Sequence, residues 1–119
     1  MTQKNGLEKL KSKIQIDLVF KKGKVVRSGA LIVHFFTPQK KAEKTYIGVG
    51  VPKKSMPMAF RRNRIKRQIK AVIRQREEEV LRSLTPGYYM VLFKGNVGVS
   101  YKSLSEDFIG LLTHFADHD

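Results

Sequence analysis

The chain reads as an α+β domain: a two-layer α/β sandwich in which a sheet of about four strands carries a long crossover helix, with helices at both ends of the sequence. Three observations predict this. Apolar runs rich in β-branched and aromatic residues occupy residues 30–36, 45–51 and 88–93, the composition of largely buried strands. Between the second and third runs, Ile65, Ile69, Val72, Ile73, Val80 and Leu84 recur at helical spacing, so a helix must connect one strand to the next. Shorter helical patterns flank the set on either side. A length of 119 residues with 41% hydrophobic content supports one core and argues against two, so residues 1–119 are read as a single domain.

Taken in order, Leu7, Leu10, Ile14, Leu18 and Phe20 recur at spacings close to three and four and predict a short amphipathic helix ending at Gly23. Val25 and Val26 suit a short edge strand, and the basic stretch 38–44 a turn between the first two main strands. The long helix runs from about Met58 to about Leu84, well above the usual 11–12 residues or so. Thr85-Pro86-Gly87 stops it. Ser103-Leu104-Ser105-Glu106 matches a capping box, and Leu104, Phe108, Leu111, Leu112 and Phe115 give the last helix a broad apolar face that lids the core. There is no internal repeat and no linker composition.

Charge carries the functional signal. The net charge of +14 is concentrated: residues 1–76 hold 21 Lys or Arg against Glu8, Asp17 and Glu43, whereas residues 77–119 hold three basic and seven acidic side chains. From Lys53 to Arg76 there are ten cations and no acid. Such a segment repels itself unless it meets a polyanion, and confinement to one part of a small domain makes a directed field. Cysteine is absent, which excludes a disulfide framework, a thiolate nucleophile and a Cys-based zinc site. No apolar run approaches the ~20 residues that span a bilayer, and Met1 to Leu10 lack a signal-peptide core, so a cytoplasmic address is expected. Nucleic acids and anionic membrane surfaces are the polyanions available there. A membrane-surface helix keeps its large apolar residues free for lipid, but Ile65, Ile69 and Ile73 are needed for the core, which favours nucleic acid.

On a helical wheel Arg61, Arg64, Lys66, Arg67, Lys70 and Arg74 sweep the circumference outside the apolar arc. Arg62 is the exception: it falls within that arc, one turn before Ile65 and Ile69, and is expected to project past the sheet edge into a cleft. Arg62 and Arg64 suit phosphates through planar forks, and Asn63 supplies a donor and an acceptor. Lys53 and Lys54 add point charges near the helix start, where free amides also favour anions. No catalytic or metal-ligating constellation is found. His34, His114 and His118 lack a Ser or Asp arrangement for acid–base work, and Glu77, Glu78 and Glu79 point in three directions from a helix. Phe35, Phe36, Tyr88, Tyr89, Phe93, Phe108 and Phe115 read as core or sheet residues, Phe20 equally as core or stacking platform, and Tyr46 and Tyr101 as either.

The segment Ile47-Gly48-Val49-Gly50-Val51-Pro52-Lys53-Lys54, followed after a short loop by Arg62-Asn63-Arg64-Ile65-Lys66-Arg67, resembles the protein component of bacterial ribonuclease P. Phe20-Lys21-Lys22-Gly23 at the end of the first helix, the strand after the long helix and the final helix extend the resemblance over almost the whole chain. It implies an accessory subunit: a large catalytic RNA cuts precursor tRNA, and the protein binds that RNA and the 5′ leader of the substrate. It also implies a left-handed strand–helix–strand crossover, against the right-handed form found in about 98% of such connections. Magnesium ions are implied to be held by RNA and substrate rather than by the protein, and neither a membrane nor a protein partner is required.

In the family a cleft between the first helix, the sheet and the long helix holds the single-stranded leader; here the resemblance places Ile16, Phe20, Lys53 and Arg62 in it. Two positions depart from the family pattern. Ile16 stands where many members have an aromatic, removing a π-face worth about 1–3 kcal/mol per stacked base. Pro52 replaces a serine or alanine and so lacks a backbone donor. A purely structural RNA-binding protein, such as a ribosome-associated domain, would share the charge and fold class without a part in catalysis.

Overall fold

The sheet is built around the two most apolar runs of the chain. In the computed structural model, which describes residues 7–38, 44–95 and 99–117, β3 (Leu31–Phe36) and β5 (Tyr88–Phe93) pair antiparallel at the centre. β2 (Lys24–Ser28) adds antiparallel to β3, β4 (Thr45–Gly50) adds parallel to β5, and β1 (Leu7–Lys9) adds parallel to β4. The order is β1-β4-β5-β3-β2. Because β4 and β5 are parallel neighbours, the chain must cross over between them, and it does so through α2 (Ala59–Gln75) and α3 (Glu77–Ser83). α1 (Lys13–Lys22) and α4 (Tyr101–Asp117) complete the architecture. Residues 39–43, the greater part of the expected basic turn, lie outside the described residues, as does His118.

Strand alternation divides the sheet into two faces. Leu31, Val33, Tyr89, Val91 and Phe93 point into a core shared with Ile65, Ile69, Val72 and Ile73 of α2, Val80 of α3 and Leu104, Phe108, Leu111 and Leu112 of α4. The helical arc predicted for the crossover is the arc that is buried. On the opposite face the Phe20 ring lies 4.8 Å from the His34 ring, which puts α1 there, with Val19 fully buried beneath it. The backbone of β4 makes room on that face: a Cβ on Gly48 would come within 2.6 Å of the Met90 sulfur. One hairpin detail ties the layers together. Gly29 turns between β2 and β3 with φ +57°, and Asp107 of α4 accepts from the next amide, Ala30 N, at 3.1 Å.

Four expectations need correction. The sheet has five strands rather than about four, because residues 7–9 form β1 and not the start of a helix. Leu10 N continues that parallel pairing onto Ile47 O at 3.0 Å. α1 starts only after Ser12, whose hydroxyl accepts from Gln15 N at 3.4 Å. With that start, its buried residue is Val19, flanked by half-buried Ile16 and Leu18, while Ile14 is 80% exposed.

The long helix is interrupted at Arg76 (φ −113°, ψ 26°), whose amide bonds back to Val72 and Ile73 and whose carbonyl restarts the ladder to Val80 N at 2.9 Å. The Arg76 side chain braces the joint with a 2.8 Å ion pair to Glu79. Finally, α4 begins two residues before the expected cap. Ser100 accepts from Ser103 N at 3.0 Å, so it takes the capping place assigned to Ser103.

Candidate nucleic-acid interface

The burial of Ile65, Ile69, Val72 and Ile73 dictates where the cations of α2 go. Arg61, Asn63, Arg64, Arg67, Lys70 and Arg74 are exposed, and Lys66 and Arg62 half-buried. Among the described residues the ion pairs are Lys44–Glu8 and Arg76–Glu79, so none of the predicted RNA-binding cations meets a carboxylate. Seven of them project from one rigid helix whose other side is core. Lys53 and Lys54 sit exposed in the tight turn after β4, where the Pro52 carbonyl accepts from both Ser55 N and Met56 N at 3.2 Å. That turn brings the lysine pair to the same end of the molecule as the start of α2.

Arg62 is held differently from its neighbours. Its Nη1 donates to Met56 O at 3.0 Å and Pro57 O at 2.6 Å, clamping the loop that leads into α2. Both bonds use Nη1 alone. The guanidinium is thereby fixed to backbone carbonyls, and it orders the segment between the lysine pair and the helix. Arg61 takes another role, with its guanidinium carbon 5.9 Å from the centre of the Phe60 ring.

The expected leader-cleft residues are distributed over more than one place. Ile16 lines a cavity of about 420 Å³ at the β1 edge together with Lys9, Met90, Lys70 and Arg74. The structure thus joins the first helix to the basic face of α2 and adds Lys9. Sequence reasoning missed Lys9 because a three-residue strand leaves almost no alternation to read. Phe20, one helical turn after Ile16, is 44% exposed and packs against His34 with the rings tilted by 56°. Nearby on the same strand face, Tyr46 and Tyr88 rings approach to 5.4 Å. Lys53 and Arg62 are not among the residues lining the β1-edge cavity.

The protonation of His34 is shifted by its surroundings. Burial, and then the charge of Lys94, hold its imidazole below the ordinary value. Among the described residues no three His, Asp or Glu side chains gather where they could hold a metal ion. Nor is any described helix long and apolar enough to cross a membrane.

Comparison with known proteins agrees with this architecture. No curated protein sequence matches the chain. Among solved structures, an RNase P protein from Thermotoga maritima superposes with a TM-score of 0.72 at 21% identity, covering 90% of this chain and 96% of that one. An RNase P protein from Staphylococcus aureus superposes with a TM-score of 0.73 at 18% identity, covering 98% and 94%. At these identities the likeness establishes the fold. The family model for Ribonuclease P matches residues 5–116, and the chain therefore belongs to the ribonuclease P protein family.

Proposed function

We propose that this chain is the protein subunit of a ribonuclease P, binding the catalytic RNA and the 5′ leader of precursor tRNA and assisting endonucleolytic removal of that leader. One observation carries the reading: α2 presents a continuous arc of cations, unpaired with carboxylates among the described residues, from a helix whose opposite arc is locked into the core. Such a surface neutralises phosphates without rearrangement, and each phosphate contact on a single strand contributes about 0.7 to the salt slope of binding.

In this reading Lys53, Lys54, Arg61, Asn63, Arg64, Lys66, Arg67, Lys70 and Arg74 meet RNA, and Arg62 both contributes charge and holds the loop that positions them. Ile16 and Phe20 line the surface along which the leader runs, and Lys9, Lys70 and Arg74, with the single acid Glu77, line the cavity at Ile16. The chemistry is assigned to the RNA, with magnesium on RNA and substrate activating water and stabilising the leaving oxygen. The chain's part is to reduce repulsion between two polyanions. A cytoplasmic address and a single RNA-binding domain complete the proposal.

Multiple-turnover cleavage of a precursor tRNA by a ribonuclease P RNA at low magnesium tests it. Addition of the chain is expected to raise the rate, and the absence of stimulation would sink the proposal. Cleavage by the chain alone would point to a nuclease centre in the protein.

A further inference from the structure

We propose that the groove between the start of α2 and the residues entering α4 is a site for one unpaired RNA nucleotide, its base on Phe60 and Gln68 and its phosphate on Arg61 and Arg64. The inference rests on the RNA-binding reading above and adds a base-recognising site to it. The cavity, about 530 Å³, is lined by Met56, Phe60, Arg61, Arg64, Gln68 and Val99. That volume lies within the range of small-molecule sites.

Three features identify the occupant. Phe60 sits on the first turn of α2 and is 63% exposed, so its ring offers a free π-face next to a guanidinium rather than filling the core. Gln68 lies one and two turns along the same stripe from Arg64 and Arg61, and its Oε1 is buried without a donor among the described residues. A buried acceptor in this state calls for a partner, and the edge of a nucleobase carries N–H donors. Among the described residues the groove's lining has two exposed guanidiniums and no acid, which complement a phosphate. An apolar peptide would leave both the amide oxygen and the guanidiniums unmatched. A second copy of this chain, with its net charge of +14, would be repelled.

The chain has no tryptophan, so Phe60→Trp installs a single indole reporter at the site. Hexa-adenylate and an abasic hexamer with the same number of phosphates serve as probes at matched salt. Hexa-adenylate is expected to quench the indole and to bind the wild type about tenfold more tightly than Phe60→Ala. Gln68→Leu should weaken it by about fivefold. The abasic hexamer should bind wild type and Phe60→Ala alike, without quenching. Phe60→Ala should leave the salt slope unchanged, while Arg61→Ala should lower it by about 0.7.

Equal binding of hexa-adenylate by wild type and Phe60→Ala, or equal quenching by both hexamers, overturns the proposal. So does sedimentation showing a dimer that Phe60→Ala dissolves, which would place a second copy in the groove. If the chain stimulates precursor cleavage while Phe60→Ala is silent, the nucleotide site falls and the ribonuclease P reading stands. Base-dependent quenching without stimulation gives the reverse.

Discussion

α2 and α4 have the same length, 17 residues, and pack against the same face of the same sheet, yet their outer surfaces are opposites. α2 carries seven Lys or Arg and no acid, whereas α4 carries Lys102 against Glu106, Asp107 and Asp117. Their buried stripes do the same work, so folding demands nothing of the difference. It separates what the sheet requires of a helix from what a partner requires, and it shows that the basic surface was built at the expense of self-repulsion on one helix. Asp107 has a local reason for its sign, since it accepts from Ala30 N at the β2–β3 turn. Of the cations of α2, Arg62 has internal acceptors in the Met56 and Pro57 carbonyls; among the described residues no such acceptor explains the other six.

The largest effects should fall on what the two helices share. Ile69→Ala and Leu111→Ala each delete a side chain that is at most 2% exposed, and each should cost about 2–5 kcal/mol in urea unfolding. If one of them proves nearly silent, that helix is not anchored as described and the comparison fails. Next comes the difference itself. Replacing Arg64, Arg67, Lys70 and Arg74 together by alanine should lower the salt slope for single-stranded RNA by about 0.7 for each phosphate no longer neutralised. Lys102→Ala on α4 should leave it unchanged. Equal losses would mean that binding follows net charge and not the face of α2.

A smaller effect separates Arg62 from its neighbours. Because Nη1 bridges the Met56 and Pro57 carbonyls, Arg62→Ala should cost about 1 kcal/mol of stability as well as RNA affinity. Arg82→Ala, on the exposed side of α3, should cost neither. Arg62→Lys keeps the charge and loses the planar fork, so an intermediate affinity with the full stability loss is expected from paired titration and unfolding.

How much of this was legible beforehand follows from the physics of each segment. The crossover helix was readable because Ile65, Ile69, Val72 and Ile73 repeat at its period, and repetition over several turns outweighs local noise. β3, β4 and β5 were readable as apolar runs between turn signals. The break at Arg76 was not, since no glycine or proline marks it and it is stabilised by a side-chain pair to Glu79. β1 escaped because Leu7 and Leu10 also fit a helical spacing, and only their pairing to β4, nearly forty residues away, decides the matter. The Phe60–Gln68 groove depends on Val99 forming its far wall, a tertiary contact that leaves no local pattern. Arg62 shows a finer limit. Its position on the wheel was clear, but a wheel does not show that the preceding loop folds back to offer two carbonyls.

The smallest expected effect concerns pH, and it lies on the sheet face that neither α2 nor α4 covers. Burial, followed by the Lys94 charge, depresses the His34 imidazole below its unfolded value. A depressed folded value means that the unfolded chain binds the proton more readily, so ∂ΔG/∂pH of unfolding is positive between the two values. Stability should therefore be fully present above the unfolded value, near 6.5, and fall as pH drops through the window below it. His34→Gln keeps a polar, uncharged side chain beside Phe20 and should flatten this dependence between pH 7 and pH 5. The urea midpoint of each form at the two pH values measures it. A wild-type midpoint that rises on acidification would mean that a protonated His34 is favoured in the folded chain, placing an uncounted anion against the Phe20 face. Leader phosphates bound at that face would push in the same direction, so adding single-stranded RNA should weaken the pH dependence of the wild type while leaving His34→Gln unchanged.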